Sequence, residues 1–268
     1  MQSEILDDQQ INHIVESMNR YGYAFGKNML DKEMLDNIAN RLDDYYAQDH
    51  ERFGKEFLMQ INELEVIRNV IEYDPIFKDL LEKHTLLDQV IEKLLHKYAI
   101  IHNYNLIRLF PDIKTKMLGH QWHRDVYYFG SGIRTAVNII IPLQKMNKEN
   151  GATELIPGSH LLEEMPSEEI IREQTISADL EPGDILFVYA ATFHSAGKNN
   201  SDKPRTIIVL KYTLSFFTQQ YDFCRALPVD TYSERLKSRL GYYVRVPENI
   251  EDFRVEPDKR KYKWPLRY

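Results

Sequence analysis

Between residues 99 and 218 the chain is built of short runs rich in β-branched and aromatic residues, and this limits its fold more than any other feature. The runs cover residues 99–110, 133–143, 152–156, 185–193 and 206–214. Such residues fit a pleated, half-buried surface. Asn150-Gly151, Pro157-Gly158 and Pro182-Gly183 lie between them as turn signals. Apart from a charged insertion at 161–174, predicted as a helix over the sheet, no helix-forming stretch alternates with these strands. A βαβ sheet is therefore excluded and an antiparallel sandwich or barrel is expected.

The preceding residues have a different texture. Ile11, Ile14, Val15 and Met18 recur at helical spacing. A short apolar stretch at 21–25 reads as a strand. Asp31 is placed to cap a helix carrying Met34, Leu35, Ile38 and Leu42. Asp74-Pro75 starts another, with proline in the first turn, and apolar residues from Leu80 to Leu95 continue a helical hairpin. The expected fold class is mainly β with flanking helices (α+β), in a single domain spanning 1–268. Residues 1–98 form a helical jacket, 99–218 the β core and 219–268 a C-terminal wrap. No internal repeat or linker interrupts it.

Charge and cysteine usage narrow the function. The net charge of −7 lacks the basic footprint of a nucleic-acid binder. The single cysteine, Cys224, excludes an internal disulfide and a thiolate-rich zinc site, and reads as an apolar filler. The N-terminus shows no signal pattern, and the longest nearly apolar run, 185–193, is too short to span a membrane. A soluble cytoplasmic protein with a small-molecule substrate, no nucleic acid and no membrane is expected. Its oligomeric state is not legible. The basic run Lys259-Arg260-Lys261 reads as a solvated tail.

Nine histidines remain as candidates for chemistry. In extended chain His123 and Asp125 project to one side, an imidazole beside a carboxylate. His194 ends the most apolar strand, at the rim of a barrel. Two histidines and one carboxylate on one face make the facial triad of a non-haem Fe(II) site with open positions. His194 and Arg205 flank a turn centred on Asn199-Asn200 symmetrically, so a simple hairpin makes them cross-strand neighbours. An arginine there suits a bidentate grip on a carboxylate. Iron beside a carboxylate clamp is what 2-oxoglutarate needs.

His123-Arg124-Asp125, Asn150-Gly151-Ala152, Pro157-Gly158-Ser159-His160, Pro182-Gly183-Asp184 and His194 followed by Arg205 resemble the phytanoyl-CoA dioxygenase family. The resemblance covers about residues 10–215. It implies a double-stranded β-helix (a cupin-like jelly roll) with Fe(II) bound by His123, Asp125 and His194. It implies 2-oxoglutarate and O2 as co-substrates, with Arg205 on the far carboxylate. It implies architectural roles for Asp184 and His160. An aspartate among the ligands, at position 125, implies hydroxylation rather than halogenation, with desaturation or ring formation left open; the acidic net charge favours a small metabolite or natural-product intermediate over a coenzyme A thioester as substrate. Asn138 is placed on an inward face, touching co-substrate or substrate. By strand parity Tyr104 and Arg108 share a face of the preceding strand and are candidates to line the pocket. Tyr127, Tyr128 and Phe129 are read as core or pocket wall.

Two positions depart from the family pattern. Arg124 stands where many members have glutamine, and parity points it away from the metal. Ala196 stands where many have a serine that contacts the co-substrate carboxylate. That absence leaves a cupin-like metalloenzyme without a keto acid as one alternative. A non-catalytic ligand-binding protein on the same scaffold is another.

Overall fold

The structure, a computed structural model, describes residues 8–111, 121–126, 130 and 133–256. Strands β1 (Tyr23–Gly26), β2 (Val66–Ile67), β3 (Ile100–Leu109), β4 (Ala136–Pro142), β7 (Ile185–Tyr189) and β9 (Arg205–Thr213) form one antiparallel sheet in the order β1-β7-β4-β9-β3-β2. Strands β5 (Thr153–Leu155), β6 (Ile176–Ser177) and β8 (His194–Ala196) form a second, in the order β6-β5-β8. The two sheets are the halves of a jelly-roll-like fold.

The large sheet is buried on both faces. Val137, Ile139 and Ile141 of β4, Ile208 and Leu210 of β9 and Phe187 of β7 belong to a core shared with the helices. Their alternates Ile140, Ile207, Leu186 and Val188 face the small sheet with Ala152, Leu155 and Leu180. This is why β4 reads as a nearly continuous apolar run, interrupted only by Asn138, instead of an alternation.

The helical layer comprises α1 (Asp8–Tyr21), α2 (Lys32–Ala39), α3 (Leu42–Phe53), α4 (Lys55–Gln60), α5 (Pro75–Lys83) and α6 (Leu86–Leu94). The Asp31 side chain accepts from the Glu33 N–H and caps α2. Asp74 caps α5, with Pro75 in the first turn. Ile11, Ile14 and Met18 bury the inner stripe of α1. The apolar stretch after α1 is strand β1, paired with β7 at the sheet edge. The charged insertion forms α7 (Glu168–Gln174), which buries no residue and so does not pack over the sheet. After β9 come α8 (Phe223–Ala226), α9 (Glu234–Arg239) and α10 (Ile250–Phe253). Cys224 is half-buried and unbridged, and burial pushes its thiol up to about 11. No helix among the described residues is long and apolar enough to cross a membrane. Tyr127, Tyr128, Phe129 and the basic run at 259–261 lie outside the described residues.

Asp184 ties the β1 segment to the start of β7. Its carboxylate accepts from the backbone N–H of Asn28 (2.9 Å) and of Glu181 (3.0 Å), and pairs with Lys27 (2.9 Å). Burial by itself raises its pKa, but Lys27 and the two N–H groups outweigh that and hold it below the usual carboxylate value. The Lys27 ammonium is half exposed and screened, so the backbone donors carry most of the stabilisation. Asp184→Ala is expected to cost about 2–4 kcal/mol in urea unfolding at pH 7. A group with a depressed folded pKa stabilises above its unfolded value, about 3.9. The difference between wild type and variant should therefore shrink as pH falls below about 4.

Candidate metal centre

His123 lies in a short extended segment outside the named strands. Its backbone exchanges two hydrogen bonds with His194 of β8, N–H of each to C=O of the other, at 3.0 and 2.9 Å. The Asp125 N–H donates to the Ala190 carbonyl at 2.8 Å. These bonds lay the segment along β8 and bring the two imidazole rings to 4.4 Å between centroids. One potential ligand atom from each of His123, Asp125 and His194 then lies within 4.8 Å of the others.

Both histidines are oriented by the same local device. Nδ1 of His123 donates to the Gln121 carbonyl (2.7 Å), and Nδ1 of His194 to the Thr192 carbonyl (2.9 Å). A carbonyl only accepts, so each Nδ1 carries the proton and each neutral ring presents Nε2 as a lone-pair donor. Burial pushes the pKa of His194 down, which favours the neutral ligand form. The hydrogen bond to Asp125 raises that of His123.

Asp125 is divided between two tasks. Oδ1 lies 3.5 Å from Nε2 of His123. Oδ2 accepts from Nδ2 of Asn138 (2.7 Å) and pairs with Nζ of Lys211 (2.9 Å). Burial by itself raises the carboxyl pKa, but His123, His194 and Lys211 outweigh it and hold the group well below the usual range. The donor set is two aligned neutral imidazoles and a carboxylate with one oxygen already satisfied, which fits a divalent cation.

Arg205 opens β9 and is 3% exposed. Nε donates to the Asn150 carbonyl (3.1 Å) and Nη2 to the Gly151 carbonyl (2.7 Å), with Sδ of Met146 3.6 Å from Nη1. Among the described residues no carboxylate pairs with it, and burial pushes its pKa down to about 10. The Asn150-Gly151 turn that holds it needs glycine. Gly151 has φ +76°, and a Cβ there would stand 2.7 Å from the Gly197 carbonyl oxygen and 2.9 Å from the Asn199 nitrogen.

A cavity between the sheets is lined by His123, Asp125, His194, Asn138 and Arg205. The large sheet contributes Asn138, Arg205, Ile207 and Val209, and the small sheet Thr153, His194, Ser195 and Ala196. Thr153 is the cross-strand partner of Ala196, so its hydroxyl-bearing side chain stands where the residue at 196 offers only a methyl.

The structure corrects three sequence expectations. Tyr104 and Arg108 do not reach this cavity. A register shift between Ile101 and Asn103 precedes them, and Ile107 and Leu109 line the cavity instead. Tyr104 is buried against the helices, its hydroxyl donating to the Phe77 carbonyl at 3.3 Å. Arg108 pairs with Glu65 (2.8 Å) and Asp43 (2.9 Å) and stacks on Tyr46. His194 and Arg205 are not cross-strand neighbours either. β8 pairs with β5, β9 with β3 and β4, and the loop between them crosses from one sheet to the other. Asn199 fastens that loop through Nδ2 to the carbonyls of Leu109 and Lys203.

Other expected positions fall as follows. Arg124 turns away from the triad, donating to the Leu162 carbonyl and stacking on Phe193. His160 lines a separate, smaller cavity and contacts the Asn19 carbonyl. Lys211 is not among the residues that the sequence reading names, although it lies six residues after Arg205 on the same strand face. The parity that groups Arg205, Ile207 and Val209 was sufficient to find it.

A family profile described as Phytanoyl-CoA dioxygenase (PhyH) matches residues 18–207. An uncharacterized protein of Mycobacterium tuberculosis is 32% identical over 269 residues, 97% of each chain. The dioxygenase olcK of Penicillium canescens is 31% identical over 214 residues, covering 73% of this chain and 68% of that one. The crystal structure of SnoN, a non-heme alpha ketoglutarate dependent epimerase from nogalamycin biosynthesis, superposes with a TM-score of 0.59. It is 19% identical and covers 86% of this chain and 94% of that one, a likeness of fold.

The hydrogen bond from Asn138 to Asp125 gives a direct test of the centre. Asn138→Ala should weaken Co(II) binding about 10–100-fold, read by visible absorption titration, without changing the fold.

Proposed function

The chain belongs to the phytanoyl-CoA dioxygenase family and is an oxygenase, and from that premise we propose that it uses Fe(II), 2-oxoglutarate and O2 to hydroxylate an unactivated C–H bond of a small metabolite or natural-product intermediate. The observation that carries this reading is Arg205, a buried guanidinium with no anionic partner among the described residues, on the wall of the cavity that holds the triad. A buried cation without a counter-charge is costly. A dicarboxylate supplies that charge and meets the guanidinium in a bidentate pair.

His123, Asp125 and His194 would hold the iron through Nε2, Oδ1 and Nε2. When bound, the iron and its keto acid supply the oxidising chemistry, with release of succinate and CO2. The protein's own share is orientation and exclusion of water. The Nδ1–H bonds to the Gln121 and Thr192 carbonyls keep both imidazoles neutral and aimed. Asn138 and Lys211 hold Oδ2, so Asp125 offers a single oxygen. With that carboxylate in the third ligand position, no place is left there for a halide, which favours hydroxylation. Thr153 and Ser195 offer hydroxyls to the co-substrate in place of the serine that Ala196 replaces. Ile140, Ile207 and Val209 keep the site apolar.

The test is binding of 2-oxoglutarate to the Fe(II) protein under argon, read from the keto-acid-to-iron absorption band. Arg205→Ala should weaken it about 100-fold, from loss of roughly 2–3 kcal/mol in charge-assisted hydrogen bonds. Metal binding should remain. Asp125→Ala should lose the metal itself. Unchanged 2-oxoglutarate affinity in Arg205→Ala would refute the clamp.

A further inference from the structure

We propose that the catalytic cavity continues into an outer chamber, and that the two together take an elongated substrate with an apolar body and a neutral or cationic outer end. This rests on the function proposed above and names the substrate class it leaves open.

Val66 and Arg68 line the catalytic cavity on one side and a second cavity on the other. The second cavity lies against α3 and α4. Phe53, Phe57 and Ile61 follow one another at four-residue intervals and line it together with Leu58. Three of these four are exposed to solvent, Phe53 at 45%, Phe57 at 51% and Ile61 at 40%, and Met59 beside them is 53% exposed. Scattered surface apolar residues need no explanation, but a row of large ones on the rim of a cavity marks a place where an apolar ligand lies. Tyr73 and Tyr221 are further walls of the same chamber.

The charges in the two chambers differ in sign. The inner one holds Arg205, which the co-substrate would neutralise, and Lys211 lies against Asp125 beside it. The outer one is lined by four carboxylates, those of Asp49, Glu63, Glu72 and Asp222, against two guanidinium groups. Both guanidinium groups are already engaged, Arg52 with Glu72 and Arg68 with Glu63, and Asp222 pairs with Arg245 at 3.8 Å, which leaves Asp49. Asp49 is buried on α3, receives the Tyr73 hydroxyl on Oδ1, and has no hydrogen-bond partner on Oδ2 among the described residues. With each guanidinium of the chamber paired and the Asp49 carboxylate left over, the lining repels an anionic group and accepts a hydroxyl or an ammonium. A phosphate-bearing acyl carrier, such as a coenzyme A thioester, would place its negative charge where this chamber places its own. The continuity through Val66 and Arg68 assigns the apolar row to the substrate and not to a second protein.

The full-length protein loaded with Mn(II) and 2-oxoglutarate under argon, so that Arg205 is occupied, is titrated calorimetrically with octan-1-ol, octan-1-amine and octyl phosphate. The alcohol and the amine should each bind at least tenfold tighter than the phosphate. Val66→Trp, which plugs the junction, and Phe57→Ser, on an exposed helix face that cannot disturb the core, should each weaken amine binding at least fivefold. Affinity for 2-oxoglutarate should not change in Phe57→Ser. Octyl phosphate binding as tightly as the amine would overturn the charge assignment. Unaltered amine binding in both variants would overturn the channel. So would a concentration-dependent dimer that Phe57→Ser abolishes, because the apolar row would then be an interface between copies. If 2-oxoglutarate itself fails to bind, the amine titrations of metal-free protein and the two variants still decide the channel, and only the co-substrate assignment falls.

Discussion

The burial of the large sheet on both faces governs the rest of the molecule. A strand sends alternate side chains to opposite sides, so each strand of this sheet divides its residues between a helix-packed core and the space between the sheets. Val137, Ile139 and Ile141 go one way, Asn138 and Ile140 the other. On β9, Ile208 and Leu210 enter the helical core while Arg205, Ile207 and Val209 line the cavity. A one-residue slip would exchange these sets and place a guanidinium in the helical core. Register is therefore as much a condition of the site as of stability.

The cavity is assembled from both sheets by backbone hydrogen bonds. The reciprocal pair between His123 and His194 fixes the distance between two imidazoles that are 71 residues apart in sequence. The carbonyls of Asn150 and Gly151 fix the guanidinium of Arg205. In each case a functional side chain is aimed by main-chain groups of another segment, which side-chain substitutions elsewhere leave in place.

The sequence showed which residues share a face but not which side a face meets. Within β4 the parity of Asn138 was correct, because the inward face was known from the ordered motifs. On β3 the same logic grouped Tyr104 and Arg108 rightly and put them on the wrong side. Both faces of that strand are buried, and a polar residue serves equally in a helix-side ion pair, as Arg108 does with Glu65 and Asp43. The candidate ligand positions are legible as an ordered pattern of residue types. The crossing loop at 197–204 was not, since its symmetric spacing suits a hairpin as well as a passage between sheets. The pairing of Thr153 with Ala196 depends on β5 meeting β8, strands of three residues each, too short to announce their partner. Strand β2, only two residues long, was invisible for the same reason, and it supplies Val66 to the cavity wall.

Charge explains why the metal and the co-substrate of the proposed function belong together. Before either enters, Lys211 offsets Asp125 and Arg205 stands uncompensated among the described residues, so the described residues of the cavity carry an excess positive charge in surroundings of low polarity. A divalent cation arriving alone adds two positive charges to that excess. A dicarboxylate arriving alone finds one guanidinium and no partner for its keto acid end. The pair together is neutral and leaves the cavity's net charge unchanged while satisfying both the imidazole lone pairs and the guanidinium. Each then strengthens the binding of the other, and by linkage the coupling is equal in both directions. The same reasoning sets the proposed outer chamber apart, because the Asp49 carboxylate lies beyond Arg68 and is not compensated by anything the inner site binds.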